Sequence, residues 1–223
     1  MPVNTHSYQE ISKELNDKKV KLIAVSKTKP KEDIEELYAL GQRDFGENYV
    51  QELAEKQALL PTDIHWHFIG HLQTNKVKYI APFVYLIHGV DSFKLLQEIN
   101  KQAIKHNRVI DCLLQMHIAQ EETKFGLDET ELKDIMQHLQ ELNHVRINGL
   151  MGMASNSEDT QKIKKEFLQL HDYFVKYNPG GSAGNAWSIL SMGMSGDYQL
   201  AIECGSNMVR IGSLIFGERN YLK

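Results

Sequence analysis

Cysteine is nearly absent. Cys112 and Cys204 are the only two in 223 residues, far apart and outside any C-x-x-C spacing, which excludes a disulfide framework and a zinc finger. No apolar run approaches the ~20 residues that a membrane-spanning helix needs. The opening segment MPVNTHSYQEISKEL has neither the charged start nor the apolar centre of a secretory signal. Positive charge is not in excess: 25 Lys and Arg against 29 Asp and Glu leave a net charge of −4, no field for gathering nucleic acid or an anionic membrane. The basic block KIKK at Lys162–Lys165 reads as one solvated helix face. Repeats, low-complexity tracts and an interdomain linker are missing too. What remains is 42% apolar and 24% charged, the composition of a globular cytoplasmic chain, expected to form one α/β domain over 1–223.

Eight apolar stretches read as strands: Lys21–Ser26, Asp44–Glu47, His65–Gly70, Val84–Val90, Ile110–Ile118, Ile147–Met151, Trp187–Met192 and Met208–Ile211. Several are continuously apolar, as parallel strands buried on both faces are. Helical stretches alternate with them. Ile163, Phe167, Leu170 and Phe174 share one helix face, and so do Leu132, Ile135, Met136 and Leu139 within Thr130–Leu142, capped by Asp128 or Thr130. Phe93–Ile104 reads likewise, and a short helix over Tyr8–Leu15 leads in. This alternation predicts a (βα)8 TIM barrel, a single domain with a short N-terminal helix; a doubly wound open sheet is the alternative. The glycine-rich PGGSAGN at Pro179–Asn185 precedes the seventh strand and is expected to be a flexible turn away from the site.

Chemistry on a barrel gathers where the strands end. Those ends carry Lys27, Glu47-Asn48, Gly70-His71, Asp91, His117, Met151–Met153, Ser191–Ser195, then Arg210 with Gly212 and Ser213. In LIAVSKTKP, Lys27 sits where a buried strand opens into a loop; it is either a solvated strand end or an amine at the mouth of a pocket. Arg-Ile-Gly-Ser at 210–213 puts a glycine directly after a strand, where backbone N–H groups can reach an anion, unless it only makes a tight turn. Arg210 between Val209 and Ile211 points into a buried environment and needs a partner, a ligand atom or an acid such as Glu203. A rival constellation is histidine: His65 and His67 lie on one strand face, with His71, His88, His117 and Asp91 near other strand ends. No tight ligand spacing joins them, and no metal is expected.

Several blocks together resemble the pyridoxal phosphate homeostasis proteins, single-domain relatives of the alanine racemase barrel. They are AVSKTKP at 24–30, FGENYVQE at 45–52, WHFIGHLQTNKVKYI at 66–80, EETKFGL at 121–127, GLMGMAS at 149–155, and the C-terminal LSMGMSGDYQLAIECGSNMVRIGSLIFGER. They run in order along essentially the whole chain. The resemblance implies a barrel holding pyridoxal 5′-phosphate (PLP) covalently as an aldimine of Lys27. Lys29, two residues on, is expected to be a solvated surface charge. A lysine attacks an aldehyde only as the free amine, a state that desolvation and a nearby cation such as Arg210 favour. By the same resemblance Arg210 faces the pyridine nitrogen, Asn48 lies near the cofactor hydroxyl, and Ser191, Gly212 and Ser213 hold the phosphate. Ile69, Gly70 and Met151 line the cavity, joined by Met192 and Met194. Relatives often carry another residue at Met153.

The racemases of this fold add a β domain and a tyrosine from a partner subunit. Here the sequence ends soon after the eighth strand, and none of its tyrosines is placed opposite Lys27. The expected function is therefore PLP (vitamin B6) homeostasis by a monomeric holder of the cofactor, with PLP-dependent apo-enzymes as possible clients and amino-acid and keto-acid pools affected indirectly. A weak PLP-dependent amino-acid racemase and a histidine-based metallohydrolase are the alternatives.

Overall fold

The computed structural model describes residues 3–121, 125–178, 180 and 186–217. Eight strands form a closed barrel in sequence order: β1 Lys21–Val25, β2 Asp44–Glu47, β3 His65–Phe68, β4 Leu86–Val90, β5 Ile110–Met116, β6 Val145–Gly152, β7 Ile189–Met194 and β8 Met208–Ile211. All neighbouring pairs are parallel, and β1 closes the ring on β8 through Lys21–Ala24 against Met208–Ile211. The expected TIM barrel is the observed fold.

The strands are apolar on both faces because both are covered. Outward residues such as Ala24, Phe45, Trp66, Phe68 and Ile87 join the large core under the helices, while Ile23, Leu86, Leu113, Met151 and Met208 pack together in the barrel interior. The rest of the interior is polar: His67, His88, Ser191 and Arg210 are all buried. A barrel of eight strands has room for side chains and no open channel.

The helix layer comprises α1 Thr5–Asp17, α2 Lys31–Ala39, α3 Val50–Leu59, α4 Val77–Ile80, α5 Phe93–Lys105, α6 Glu129–His138, α7 Thr160–Tyr177, α8 Tyr198–Glu203 and α9 Ser213–Phe216. Asn4, Ser92 and Asp159 cap α1, α5 and α7 with side-chain oxygens. At α6 the cap is Asp128: its carboxylate accepts from Glu131 N while Glu131 accepts from Asp128 N, a reciprocal capping box. Among the described residues no helix is long and apolar enough to cross a membrane.

Most strand boundaries fall within two residues of the sequence expectation. The consequential difference is β7. Trp187 lies before it, packed on Phe174 of α7 at 6.1 Å between ring centroids, with its carbonyl and N–H both bound by Asn178. The strand therefore begins at Ile189 and runs on to Met194. Glycine at 149 admits this neighbour: at φ +150° a Cβ there would lie 1.8 Å from the Ile189 carbonyl oxygen. Of the segment 179–185 only Gly180 is among the described residues.

Candidate ligand site at the C-terminal mouth

Past the end of β1 the chain turns sharply. Lys29 N–H donates to the Ser26 carbonyl at 3.0 Å, so Lys27 occupies the apex, followed by Thr28 at φ +62°. That left-handed conformation disfavours a β-branched residue, so something must hold it. A buried charge cluster does. Glu52 Oε1 accepts from Thr28 N–H at 2.6 Å, and Lys56 Nζ donates to the Ser26 carbonyl at 2.8 Å, Glu47 Oε1 at 2.8 Å and Glu52 Oε1 at 2.6 Å. Ser26 Oγ donates to the same Glu47 oxygen at 2.6 Å. Glu52 and Lys56 stand one helical turn apart on α3 and grip the backbone on both sides of Lys27. Burial pushes the Glu47 carboxyl upward against the pull of Lys56 and Ser26.

Lys27 opens into a cavity of about 270 Å³, at the compact end of the range for ligand pockets. Lys27 and Lys29 come from the turn after β1; Asn48, Ile69 and Met153 directly follow β2, β3 and β6; Met194 ends β7, with Ser195 and Gly196 just beyond it; Arg210 is on β8, Gly212 follows it and Ser213 opens α9. Asn48 Oδ1 is buried and accepts no hydrogen bond from the protein. Ser195 Oγ accepts from Gly212 N–H at 3.2 Å, joining the last two turns. Arg210 is buried, and its guanidinium donates to the Ser191 carbonyl at 2.9 Å, Ser191 Oγ at 2.7 Å and the Gly152 carbonyl at 3.0 Å. Burial lowers its pKa to about 10, still a cation at neutral pH. No ion pair with Glu203 forms among the described residues; that side chain is on the exposed side of α8.

The cavity thus unites Lys27, Asn48, Ile69, Arg210, Gly212 and Ser213, and five residues stand otherwise than the sequence reading placed them. Ser191 lies fully buried in the interior, its hydroxyl against Arg210, because β7 runs further than expected; Ser195 and Gly196 stand at the rim instead. Met151 belongs to the interior apolar cluster, and Met153, two residues on, faces the cavity; Met192 is in the outer core. Gly70 does not line the cavity but shapes it: a Cβ there would meet the Asn48 carbonyl oxygen at 2.4 Å. Lys29 is not a solvated charge. It is half-buried, and its Nζ donates to the Phe216 carbonyl at 2.6 Å. The Lys56 cluster was missed because a lysine and a glutamate on an amphipathic helix read as solvent-facing.

The histidines divide between two ends of the barrel. His71 pairs with Asp91 at 3.0 Å and stacks on Phe125 near the C-terminal mouth. His65 and His67, on one face of β3 as expected, meet Asp44 at 3.3 and 3.0 Å near the opposite end. Among the described residues no group of three or more His, Cys, Asp or Glu side chains is arranged to hold a metal.

The family described as alanine racemase, N-terminal domain, matches residues 4–220. Pyridoxal phosphate homeostasis proteins of Aquifex aeolicus and Pasteurella multocida are 44% and 40% identical, over 90% and 92% of this chain and 88% of each relative. The chain belongs to the pyridoxal phosphate homeostasis protein family. Among solved structures, PipY of Synechococcus elongatus with PLP bound matches with a TM-score of 0.81 and 36% identity, covering 89% of this chain and 93% of that one. Alanine racemase of Bartonella henselae, at 17% identity and a TM-score of 0.73 over 96% of this chain and 62% of its own, shares the fold.

Proposed function

We propose that this family member binds pyridoxal 5′-phosphate at the C-terminal mouth of its barrel, linked covalently to the Lys27 amine, and serves the homeostasis of that cofactor as a monomer in the cytoplasm. The observation that carries the reading is the convergence of Lys27 and Arg210 on one cavity. The PLP-bound structure of PipY and the names of the relatives support it. The residues present fit the group. Lys27 offers an amine to its aldehyde, and the orphaned Asn48 Oδ1 could accept from its ring hydroxyl. Ser195 and Ser213 offer hydroxyls to its phosphate beside Gly212, whose N–H is held by Ser195 Oγ. Ile69, Met153 and Met194 supply the apolar wall.

Bound PLP supplies an electrophilic carbonyl and an electron-withdrawing ring. How far that ring acts depends on Arg210. A guanidinium donates and never accepts, so Arg210, if it faced the ring nitrogen, would leave that nitrogen unprotonated. The ring is then a weaker electron sink than one paired with a carboxylate, which restrains carbanion chemistry. Among the described residues around the cavity, no imidazole, phenol or carboxylate stands ready as a second acid or base, and Lys29 is committed to the Phe216 carbonyl.

Borohydride reduction of the PLP-loaded protein, followed by peptide mass analysis, tests the site. The expected product is one pyridoxyl group on Lys27, absent from Lys27→Ala. A label on Lys29, or an unlabelled wild type, would overturn it. Transfer of PLP to an apo-enzyme without interconversion of D- and L-amino acids is expected of the holder; racemisation abolished by Lys27→Ala would favour the enzyme reading.

A further inference from the structure

Three buried side chains and one at the barrel's far end lead through the interior to Arg210. Asp44 Oδ1 lies 3.0 Å from His67 Nε2, His67 Nδ1 lies 2.9 Å from His88 Nε2, and His88 Nδ1 lies 3.3 Å from Ser191 Oγ, which accepts from Arg210 at 2.7 Å. Both imidazoles are fully buried. Burial pushes both downward in pKa, His88 well below 6.5 with the charge of Arg210 adding to the effect, so each carries one proton.

A single proton arrangement satisfies every contact. An ionised carboxylate only accepts, so His67 carries its proton on Nε2 and offers a bare Nδ1. His88 must then donate from Nε2, which leaves its own Nδ1 bare to accept the Ser191 hydroxyl proton. The Ser191 lone pairs are thereby turned to Arg210. The reverse arrangement would set a bare imidazole nitrogen against the Asp44 carboxylate. Every donor therefore points one way, from the cation at the cavity floor to the anion at the other end of the barrel, where Lys21 and His65 also contact Asp44.

We propose that Asp44, His67, His88 and Ser191 are positioning residues for Arg210: their hydrogen-bond chain fixes which guanidinium N–H groups are tied inside the wall and which face the cavity, and so sets how the ring nitrogen of bound PLP is addressed. The inference rests on the cofactor reading above. Three bonds, two to Ser191 and one to Gly152, anchor the guanidinium. Without the His88 acceptor, the Ser191 hydroxyl is free to rotate its proton toward Arg210, and the anchor loosens.

The test uses PLP labelled with ¹⁵N in its ring and the full-length protein. In the cofactor-free wild type, ¹⁵N spectra of labelled histidine are expected to show His67 and His88 neutral, each with its proton on Nε2. Ser191→Ala and Asp44→Asn are expected to shift the ring-nitrogen resonance of bound PLP and to weaken binding on the order of tenfold, while still taking up one equivalent on Lys27. A proton on Nδ1 of either histidine overturns the chain. So does a ring-nitrogen resonance that stays at the wild-type value in both variants, since packing alone moves only the unfolding temperature. If Asp44→Asn does not fold, Ser191→Ala, which removes one oxygen, decides. A wild type that takes up no PLP overturns the cofactor reading itself, an outcome distinct from wild-type binding that the variants leave unchanged.

Discussion

The turn that carries Lys27 is held by the charges of other residues, two carboxylates and an ammonium, none of them in the cavity lining. Removing one partner of such a buried set leaves the others uncompensated, at a cost of about 3–5 kcal/mol. Lys56→Met is therefore expected to lower the unfolding free energy by roughly that amount, read from denaturant melts. Glu52→Ala is milder for stability, because Lys56 keeps Glu47, but it frees the Thr28 N–H that the +62° φ depends on. Its expected signature is slower or less complete borohydride trapping of PLP on Lys27 in a protein that still melts cooperatively. Gly70→Ala reaches the site from the opposite side. A methyl 2.4 Å from the Asn48 carbonyl oxygen must displace that backbone, and PLP affinity is expected to fall at least tenfold, measured by equilibrium titration.

Elements show where the sequence speaks plainly and where it does not. β2 and β8 were legible to the residue, because Asp44–Glu47 and Met208–Ile211 are bounded by turns that the local composition announces. β7 was not: Trp187 is as apolar as the strand that follows, and only its packing on Phe174 shows that it belongs to the helix layer. With the strand displaced by two residues at each end, Ser191 lies inside the barrel and Ser195 stands at the rim. Lys27 and Arg210 stood out as charges beside buried strands, each with two readings open, and the family resemblance singled them out; both line the cavity. Their supports, Lys56 and the His67–His88 pair, depend on contacts between distant strands and helices that no local pattern encodes. β6 carries its own check. Gly149→Ala would place a Cβ 1.8 Å from the Ile189 carbonyl oxygen at a backbone angle alanine avoids. The expected loss exceeds about 3 kcal/mol and is visible as a drop in Tm.

For the whole molecule, the buried histidines set a dependence on acid. His67 and His88 are neutral in the fold, with pKa values pushed below the ordinary 6.5, whereas in the unfolded chain they bind protons below about that pH. The unfolded state then holds more protons, so stability is fully present above about pH 6.5 and falls as the pH drops, by up to about 1.4 kcal/mol per pH unit for each histidine. Asp44, held at about 2 by His67 and Lys21 against its burial, adds a further loss only as the pH falls below about 4. Urea midpoints measured from pH 7.5 to 5 should decline steadily; a flat profile would mean that the imidazoles are charged in the fold.

The seam of the barrel joins its first strand to its last, and the proposed site straddles that seam. Lys27 follows β1, Arg210 lies on β8, Asn4 N–H is bound by the Ile215 carbonyl, and Lys29 is tied to Phe216. During synthesis the lysine emerges from the ribosome nearly two hundred residues before the arginine that shares its cavity. Until that late strand arrives, the nascent chain has the Lys27 amine but no complete cavity around it. A chain cut short at any codon before β8 would lack Arg210, Gly212 and Ser213, and with them the floor of the cavity.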